Sequence, residues 1–234
     1  MKHTFIILSL GCCLALNSCD NLDLNPLSEG SSENWYSNET EIEMAVKDLY
    51  RDNFWPLDNE DKTDNFVYRE TTSKILSGTF NGQESDVTTL WSNQYKAIAR
   101  ANTILANMEE AKSLGISEAK LEQFGAEALF ARASMYARLV SYFGDIIYVT
   151  EVIGMDEAFT IGRTPKSEII PKIYEDYDKA AAVLPVKYSG ASSQRATKGA
   201  ALALKARFAL YMGDWETAAE AAKKCMELDV YKLY

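Results

Sequence analysis

The sequence predicts a mainly α-helical fold in which pairs of helices stack on one another and are joined by long irregular loops. Three observations support this prediction. Apolar residues recur every three or four positions over several long stretches, which is the spacing of an amphipathic helix. A nine-residue motif occurs twice in stretches of this kind, and each copy places a glycine where its helix would end. Hydrophobic residues make up 47% of the chain, which is typical of a protein with a packed core.

The first 38 residues are predicted to be a processing signal and a tether. Lys2 precedes a run of twelve uncharged residues, FIILSLGCCLAL, at 5–16. This run is too short for a transmembrane helix and is typical of the apolar core of a secretory signal. The sequence Leu16-Asn17-Ser18-Cys19 then resembles the lipobox of bacterial lipoproteins. This resemblance implies a signal peptide at 1–18 and a tether at 19–38 that begins with a lipidated, palmitate-bearing Cys19. Several acyl chains on one residue would anchor the protein firmly. Two alternatives are an ordinary signal peptide cleaved nearby and a buried first helix.

Residues 39–234 are predicted to form one helical domain. Its elements, in order, are a helix over 39–52, a long loop over 53–87, a helix over 88–111, a helix from Ser117 to about 143, a β-like piece IIYVT followed by a loop to 164, a helix from Thr164-Pro165 to Leu184, a helix from Thr197 to 212, and a helix from Asp214 to 228. A loop as long as 53–87 in a compact domain is usually functional or mobile.

The two longest helices each carry a stripe of residues that is predicted to face the core. The first stripe consists of Trp91, Tyr95, Ile98, Asn102, Leu105 and Met108. The second consists of Phe124, Ala128, Ala131, Met135, Leu139 and Tyr142. For Trp91 and Tyr95, a position on the stripe favours core packing over ligand contact.

The internal repeat refines the fold prediction. Residues 137–145 read ARLVSYFGD and residues 206–214 read ARFALYMGD, with five of nine positions identical. The offset of 69 residues is about twice the 34-residue tetratricopeptide period. Gly144 and Gly213 suit a positive φ at a helix end, and Asp145 and Asp214 are each expected to cap the segment after the glycine. These features predict a tetratricopeptide-like α-α superhelix.

Composition excludes several function classes. The single histidine, His3, lies in the predicted signal peptide, so the domain has no histidine for a Ser-His-Asp triad or a His-ligated metal. There is no GxxxxGK[ST] or GxGxxG motif, and we expect no cofactor and no metal site. A formal charge of −10 argues against a nucleic-acid partner. With Cys19 acylated, Cys225 has no partner for a disulfide.

Four stretches together resemble the SusD/RagB family of surface glycan-binding lipoproteins of Bacteroidetes. They are CDNLDLNP after the lipobox, WSNQYKAIARANTILANM at 91–108, GAEALFARASMYARLVSYFGDIIYVT at 125–150 and RATKGAALALKARFALYMGDWETAAEAAKKC at 195–225. The resemblance implies a SusD-type helical scaffold on the outer membrane that serves polysaccharide utilisation and nutrient uptake. Such proteins capture oligosaccharides and hand them to a SusC-like TonB-dependent transporter. Family members are about twice as long, so the resemblance implies that 39–234 is the N-terminal helical part and that the C-terminal half is missing. The sequence would then be a fragment or the product of an interrupted reading frame.

The long loop supplies the candidates for glycan contact. Sugars stack their C–H faces on aromatic rings and hydrogen-bond to planar polar groups. We therefore predict that Trp55, Tyr68 and Phe80 stack on sugar, and that Arg69 and Asn81 bind hydroxyl groups. The alternative is that these aromatic residues pack the loop onto the helices.

The sequence leaves two other functions open. A glycosidase needs two carboxyl groups on either side of the scissile bond, and Asp58/Asp61 or Glu84/Asp86 could be such a pair. A tetratricopeptide adaptor would bind a protein partner in its groove and no sugar. The resemblance favours non-catalytic glycan capture over both, so no catalytic residue is expected.

Overall fold

The computed structural model describes residues 35–56, 63, 65, 69–70, 72–190 and 194–232. Residues 36–234 form one compact unit. Its helices are α1 (Glu39–Asp48), α2 (Ser85–Ala111), α3 (Glu118–Phe143), α4 (Met155–Ala158), α5 (Lys166–Val183), α6 (Lys198–Met212) and α7 (Trp215–Met226). A short 3-10 helix, Lys112–Leu114, follows α2. The predicted signal peptide, Cys19 and Tyr68 lie outside the described residues.

The predicted helices occur in the predicted order, and side chains cap two of their starts. The side chain of Asn38 accepts the N–H of Glu41 at the start of α1, and Thr197 accepts the N–H of Ala200 at the start of α6. Such side chains satisfy N–H groups that have no partner within the helix. The boundaries differ from the prediction by two to four residues at α1, α2 and α7. The sequence pattern did not predict the single turn of α4.

Neighbouring helices pack in succession, as expected for stacked helical hairpins. Helix α2 packs on α3, α3 on α5, α5 on α6, and α6 on α7, while α1 contacts α2 and α3. The predicted tetratricopeptide-like arrangement is therefore confirmed.

Both predicted stripes face the core, with one exception. Ile98, Asn102, Phe124 and Met135 are almost completely buried, and the remaining members of the α2 stripe pack against the core clusters. Tyr142, however, is 57% exposed, so its predicted burial is wrong. It lies in the last turn of α3 and borders an open groove.

The repeat turns have the predicted backbone, but the two aspartates act differently. Gly144 has φ +71° and Gly213 has φ +77°, and Asp214 accepts the N–H of Thr217 as the N-cap of α7. Asp145 does not cap the residues directly after it. Its Oδ1 accepts the N–H of Lys166, the first residue of α5, at 2.9 Å. Asp145 therefore caps the start of α5, 21 residues later in the chain, instead of the segment directly after the turn.

The β-like piece IIYVT does not form a strand. Ile146 and Thr164 make one isolated antiparallel bridge through two backbone hydrogen bonds. The segment 147–151 instead bonds to helix side chains, namely Tyr95 Oη to the carbonyl of Ile147, Tyr136 Oη to both backbone groups of Val149, Asn102 Nδ2 to the carbonyls of Val149 and Glu151, and Arg132 Nη1 to the carbonyl of Thr150. Side chains therefore supply the partners that a neighbouring strand would provide.

Candidate functional site

The loop that carries the predicted glycan contacts is built around a charged pair. Lys74 Nζ forms an ion pair with Glu84 Oε2, and the N–H groups of Thr79 and Phe80 donate to the carbonyl of Lys74. Asn81 Oδ1 accepts the N–H of Gln83 at 2.9 Å, and its Nδ2 donates to Glu84 Oε1 at 3.2 Å. The side-chain amide of Asn81 therefore stabilises the loop. Hydrogen bonds that it does not make within the loop are the ones it could form with a ligand.

Two predicted contact residues of this loop face solvent. The Phe80 ring is 43% exposed, and Arg69 is exposed as well. An exposed ring beside an amide offers the two kinds of contact that a sugar needs, an apolar face and hydrogen-bonding groups.

Trp55 is fixed by the helical core. Its ring stacks on Phe130 with centroids 5.5 Å apart and an interplanar angle of 16°. Its Nε1 donates to the carbonyl of Leu49 at 2.8 Å. The half-buried ring thus packs the start of the loop onto the helices, and one edge borders the open groove.

This groove, of about 550 Å³, lies against helices α3, α5 and α6. Arg138 and Tyr142 of α3 line it together with Arg207 and Tyr211 of α6. These are the two arginines and two tyrosines that are identical in the internal repeat. The sequence marked them as equivalent but did not indicate that packing would bring them to one cavity.

Met135, Tyr177 and Phe208 contribute buried side chains to the same cavity. The hydroxyl of Tyr177 lies 3.1 Å from Ser134 Oγ, to which it donates. Burial raises the pKa of Tyr177, while the hydrogen bond to Ser134 and the positive charges of Arg207 and Arg138 oppose this increase. The fields of both guanidinium groups therefore reach the buried side of the groove.

The predicted contact residues do not all meet in this cavity. Trp55 borders the groove, whereas Arg69, Phe80 and Asn81 are not among its lining residues. The structure thus offers two candidate surfaces, the 69–84 loop and the groove.

The buried carboxylates of the described residues have structural partners. Glu127 lies 2.7 Å from the hydroxyl of Tyr50, which donates to it, and 2.8 Å from Arg195 Nη2. Asp176 forms a bidentate ion pair with Arg132. Of the carboxylates considered for a glycosidase, Glu84 is paired with Lys74, and Asp58 and Asp61 lie outside the described residues. Within the part of the chain that is described, His, Cys, Asp and Glu form no cluster suited to a metal ion.

The length and apolar character of a helix decide whether it can span a membrane. No helix among the described residues combines the length and apolar character that are needed to cross a bilayer.

The fold defines a helical-repeat protein with an open groove on its surface. Comparison with known families then identifies the family to which the chain belongs. Residues 22–210 match the sequence model of a SusD-like family described as starch-binding and associating with the outer membrane. The chain belongs to this SusD-like family.

Individual relatives agree with this assignment. Two curated SusD-like proteins of Formosa agariphila are 29% and 25% identical over 95% and 97% of this chain. The chain spans less than half of their length, 45% and 46%. A SusD-like protein of Bacteroides fragilis superimposes with a TM-score of 0.72 at 28% identity, over 89% of this chain and 42% of its own. A SusD-like carbohydrate-binding protein of the same species gives 0.70 at 26% identity, over 83% and 41%.

Proposed function

We propose that this chain is the helical part of a non-catalytic surface lipoprotein that captures oligosaccharides and delivers them to a SusC-like TonB-dependent transporter. The observation that carries the proposal is the match of residues 22–210 to a family described as starch-binding and associating with the outer membrane. A solved relative at 26% identity, named as carbohydrate-binding, supports it.

The loop supplies the contacts in this proposal. Phe80 offers an exposed ring, Arg69 an exposed guanidinium group and Asn81 its amide, while Trp55 and Tyr68 complete the set of aromatic candidates. Stacking on aromatic rings and hydrogen bonding to planar groups recognise sugars without chemical change, because no acid, base or nucleophile takes part.

Isothermal titration calorimetry with a panel of oligosaccharides tests glycan capture. We expect at least one glycan to bind uncleaved, and Phe80→Ala to weaken its binding by about tenfold, since stacking on an aromatic residue contributes about 1 kcal/mol or more. Phe159→Ala is the matched control, because Phe159 is 85% exposed and lies far along the chain from the loop. Equal affinity of the Phe80 variant and the control would contradict the assigned contact, and cleavage of a glycan would contradict the non-catalytic role.

The membrane anchor is proposed to be lipid on Cys19, after a signal peptide at 1–18 and at the start of a tether over 19–38. Cys19→Ala should move the protein from the membrane fraction to the soluble fraction, because no acyl chains would then hold it. Cys225→Ala is the control and should stay with the membranes. Continued sedimentation of the Cys19 variant would argue against the anchor.

The transporter partner separates this proposal from the adaptor alternative. Capture and delivery predict that the SusC-like transporter copurifies with the protein and that glycan binds as well. Copurification with no affinity for any glycan in the panel would favour the adaptor, which binds protein alone.

A further inference from the structure

The loop over residues 151–162, called the acidic loop below, exposes apolar side chains to solvent. Val152 is 61% exposed, Met155 78% and Phe159 85%. Met155 begins α4 and Phe159 directly follows its last residue, so the two side chains lie four residues apart on one face of this turn. Large apolar side chains that are exposed together mark surfaces that bind other molecules.

Every charged residue of the acidic loop is a carboxylate. Glu151, Asp156 and Glu157 are exposed, and the loop contains neither lysine nor arginine. The next cation in the chain, Arg163, is engaged with the turn after α3, because its Nη1 donates to the carbonyl of Asp145 at 2.9 Å. The loop thus combines apolar and negatively charged groups, which complement an apolar pocket bordered by lysine and arginine.

The base of the acidic loop is fixed on the helical domain. The bridge between Ile146 and Thr164 joins the two ends of the surrounding segment, and Asn102 Nδ2 donates to the carbonyl of Glu151 at 3.1 Å. Within the loop, the N–H of Ala158 donates to the carbonyl of Gly154 at 3.0 Å. A loop that is ordered in advance loses less conformational entropy when it binds.

We propose that the acidic loop docks into an apolar pocket bordered by lysine and arginine on the SusC-like transporter, with Met155 and Phe159 filling the pocket and Glu157 pairing with its basic rim. Neither apolar side chain has the strong hydrogen-bonding group that a sugar hydroxyl would need. The flexible thioether of methionine adapts readily to the shape of a protein pocket. The inference rests on the proposed function and names the surface that meets the transporter.

Charge argues against two other occupants of this surface. A bilayer that contains anionic lipids repels the three carboxylates of the loop. A second copy of the chain also has a formal charge of −10, so association of two copies would bring like charges together.

Surface plasmon resonance between the purified protein and the SusC-like transporter of the same organism, purified in detergent, tests the inference. Met155→Ser and Phe159→Ser should each raise the Kd by about tenfold, mainly through faster dissociation, because apolar contacts at the centre of the interface are lost. Met226→Ser is the matched control, since Met226 is 77% exposed at the end of α7. A loss of affinity no larger in the loop variants than in this control would overturn the docking surface.

Glu157→Lys tests the charged part of the interface. This reversal should slow association by about tenfold and make it less dependent on salt, because charges at the rim steer the encounter of two proteins. Glu110→Lys is the control, since it makes the same charge change at an exposed position on α2. Equal association rates for the two variants would contradict the proposed charge complementarity.

The outcomes separate this inference from the proposed function. If the transporter binds every loop variant as tightly as the unmodified protein, the inference is wrong and delivery to the transporter stands. If the transporter does not bind the unmodified protein, the proposed delivery is wrong and the inference with it.

Two further measurements test the other occupants. The Cys19→Ala variant, which lacks the proposed anchor, should not sediment with vesicles of phosphatidylethanolamine and phosphatidylglycerol, and it should be monomeric in analytical ultracentrifugation. Vesicle binding or a dimer that is lost when Phe159→Ser is added would assign the loop to a membrane or to a second copy, and would overturn the inference.

Discussion

The hydroxyl group of Tyr136 makes both backbone hydrogen bonds of Val149, since it donates to the carbonyl oxygen at 2.7 Å and accepts from the N–H group at 2.8 Å. One side-chain atom on α3 thus occupies the position that two backbone groups of a neighbouring strand would fill. The ring of Tyr136 is fully buried, so this contact joins the extended segment directly to the core.

Tyr136→Phe should therefore destabilise the protein. The variant keeps the ring, but the N–H of Val149 loses its hydrogen-bond acceptor and the carbonyl of Val149 loses one of its donors. The loss of these partners should cost about 1–3 kcal/mol. Urea unfolding followed by circular dichroism measures the change. Tyr211→Phe is the control, because that tyrosine is 63% exposed. Equal stability of both variants would show that the double hydrogen bond contributes nothing.

The ion pair between Arg132 and Asp176 should be the most sensitive polar contact. Arg132 Nε and Nη2 lie 2.8 and 2.9 Å from the two carboxylate oxygens, and both side chains are buried. Asp176→Leu leaves the guanidinium group buried without its counter-charge, which should cost about 3–5 kcal/mol. Replacing both residues, with Arg132→Met added, should recover part of that loss.

An exposed pair on the same helix provides the control for this prediction. Lys179 and Glu175 lie 2.8 Å apart on α5, and both are well exposed. Lys179→Met should change the free energy of unfolding by no more than about 1 kcal/mol, because water screens such pairs. A loss at Asp176 no larger than this would contradict the importance of burial.

The glycine at the second repeat turn should resist substitution. Gly213 has φ +77° and ends α6, whereas Gly82 has no positive φ and open space where a Cβ atom would lie. Gly213→Ala should cost about 1–2 kcal/mol, since side chains disfavour the left-handed region, and Gly82→Ala should be close to neutral. Thermal unfolding compares the two. Equal melting temperatures would contradict the assigned turn.

Alkaline pH should destabilise the protein through Tyr177. Burial raises the pKa of Tyr177 above the ordinary value of about 10, so the folded state retains the proton that the unfolded chain loses. Its contribution to stability is complete below pH of about 10 and falls as the pH rises further. Tyr177→Phe should lose less stability between neutral and alkaline pH than the unmodified protein. Parallel stability curves would contradict this.

Local patterns predicted the helices because a helix stripe and its caps are properties of neighbouring residues. The stripes that contain Ile98 and Phe124, the cap at Thr197 and the turn at Gly213 all depend on residues close in sequence. Tyr142 shows the limit of this reasoning. Periodicity identifies the face on which a residue lies, but not whether another element covers that face.

Long-range contacts could not be predicted in the same way. Asp145 caps a helix that begins 21 residues later, and the backbone partners of Val149 come from side chains on two helices. The groove has the same character. The repeat identified Arg138 and Arg207 as equivalent, but their meeting in one cavity depends on how α3 packs with α6. The glycan contacts proposed for the loop stay predictions.

All of the side-chain hydrogen bonds to 147–151 end on main-chain atoms, which every amino acid shares. Evolution can therefore replace the residues of this segment without breaking the bonds, provided that the four donors on α2 and α3 persist. We expect related proteins to differ more in the sequence of this segment than at those four helix positions. The side chains that the segment presents would then change while its attachment to α2 and α3 stays the same.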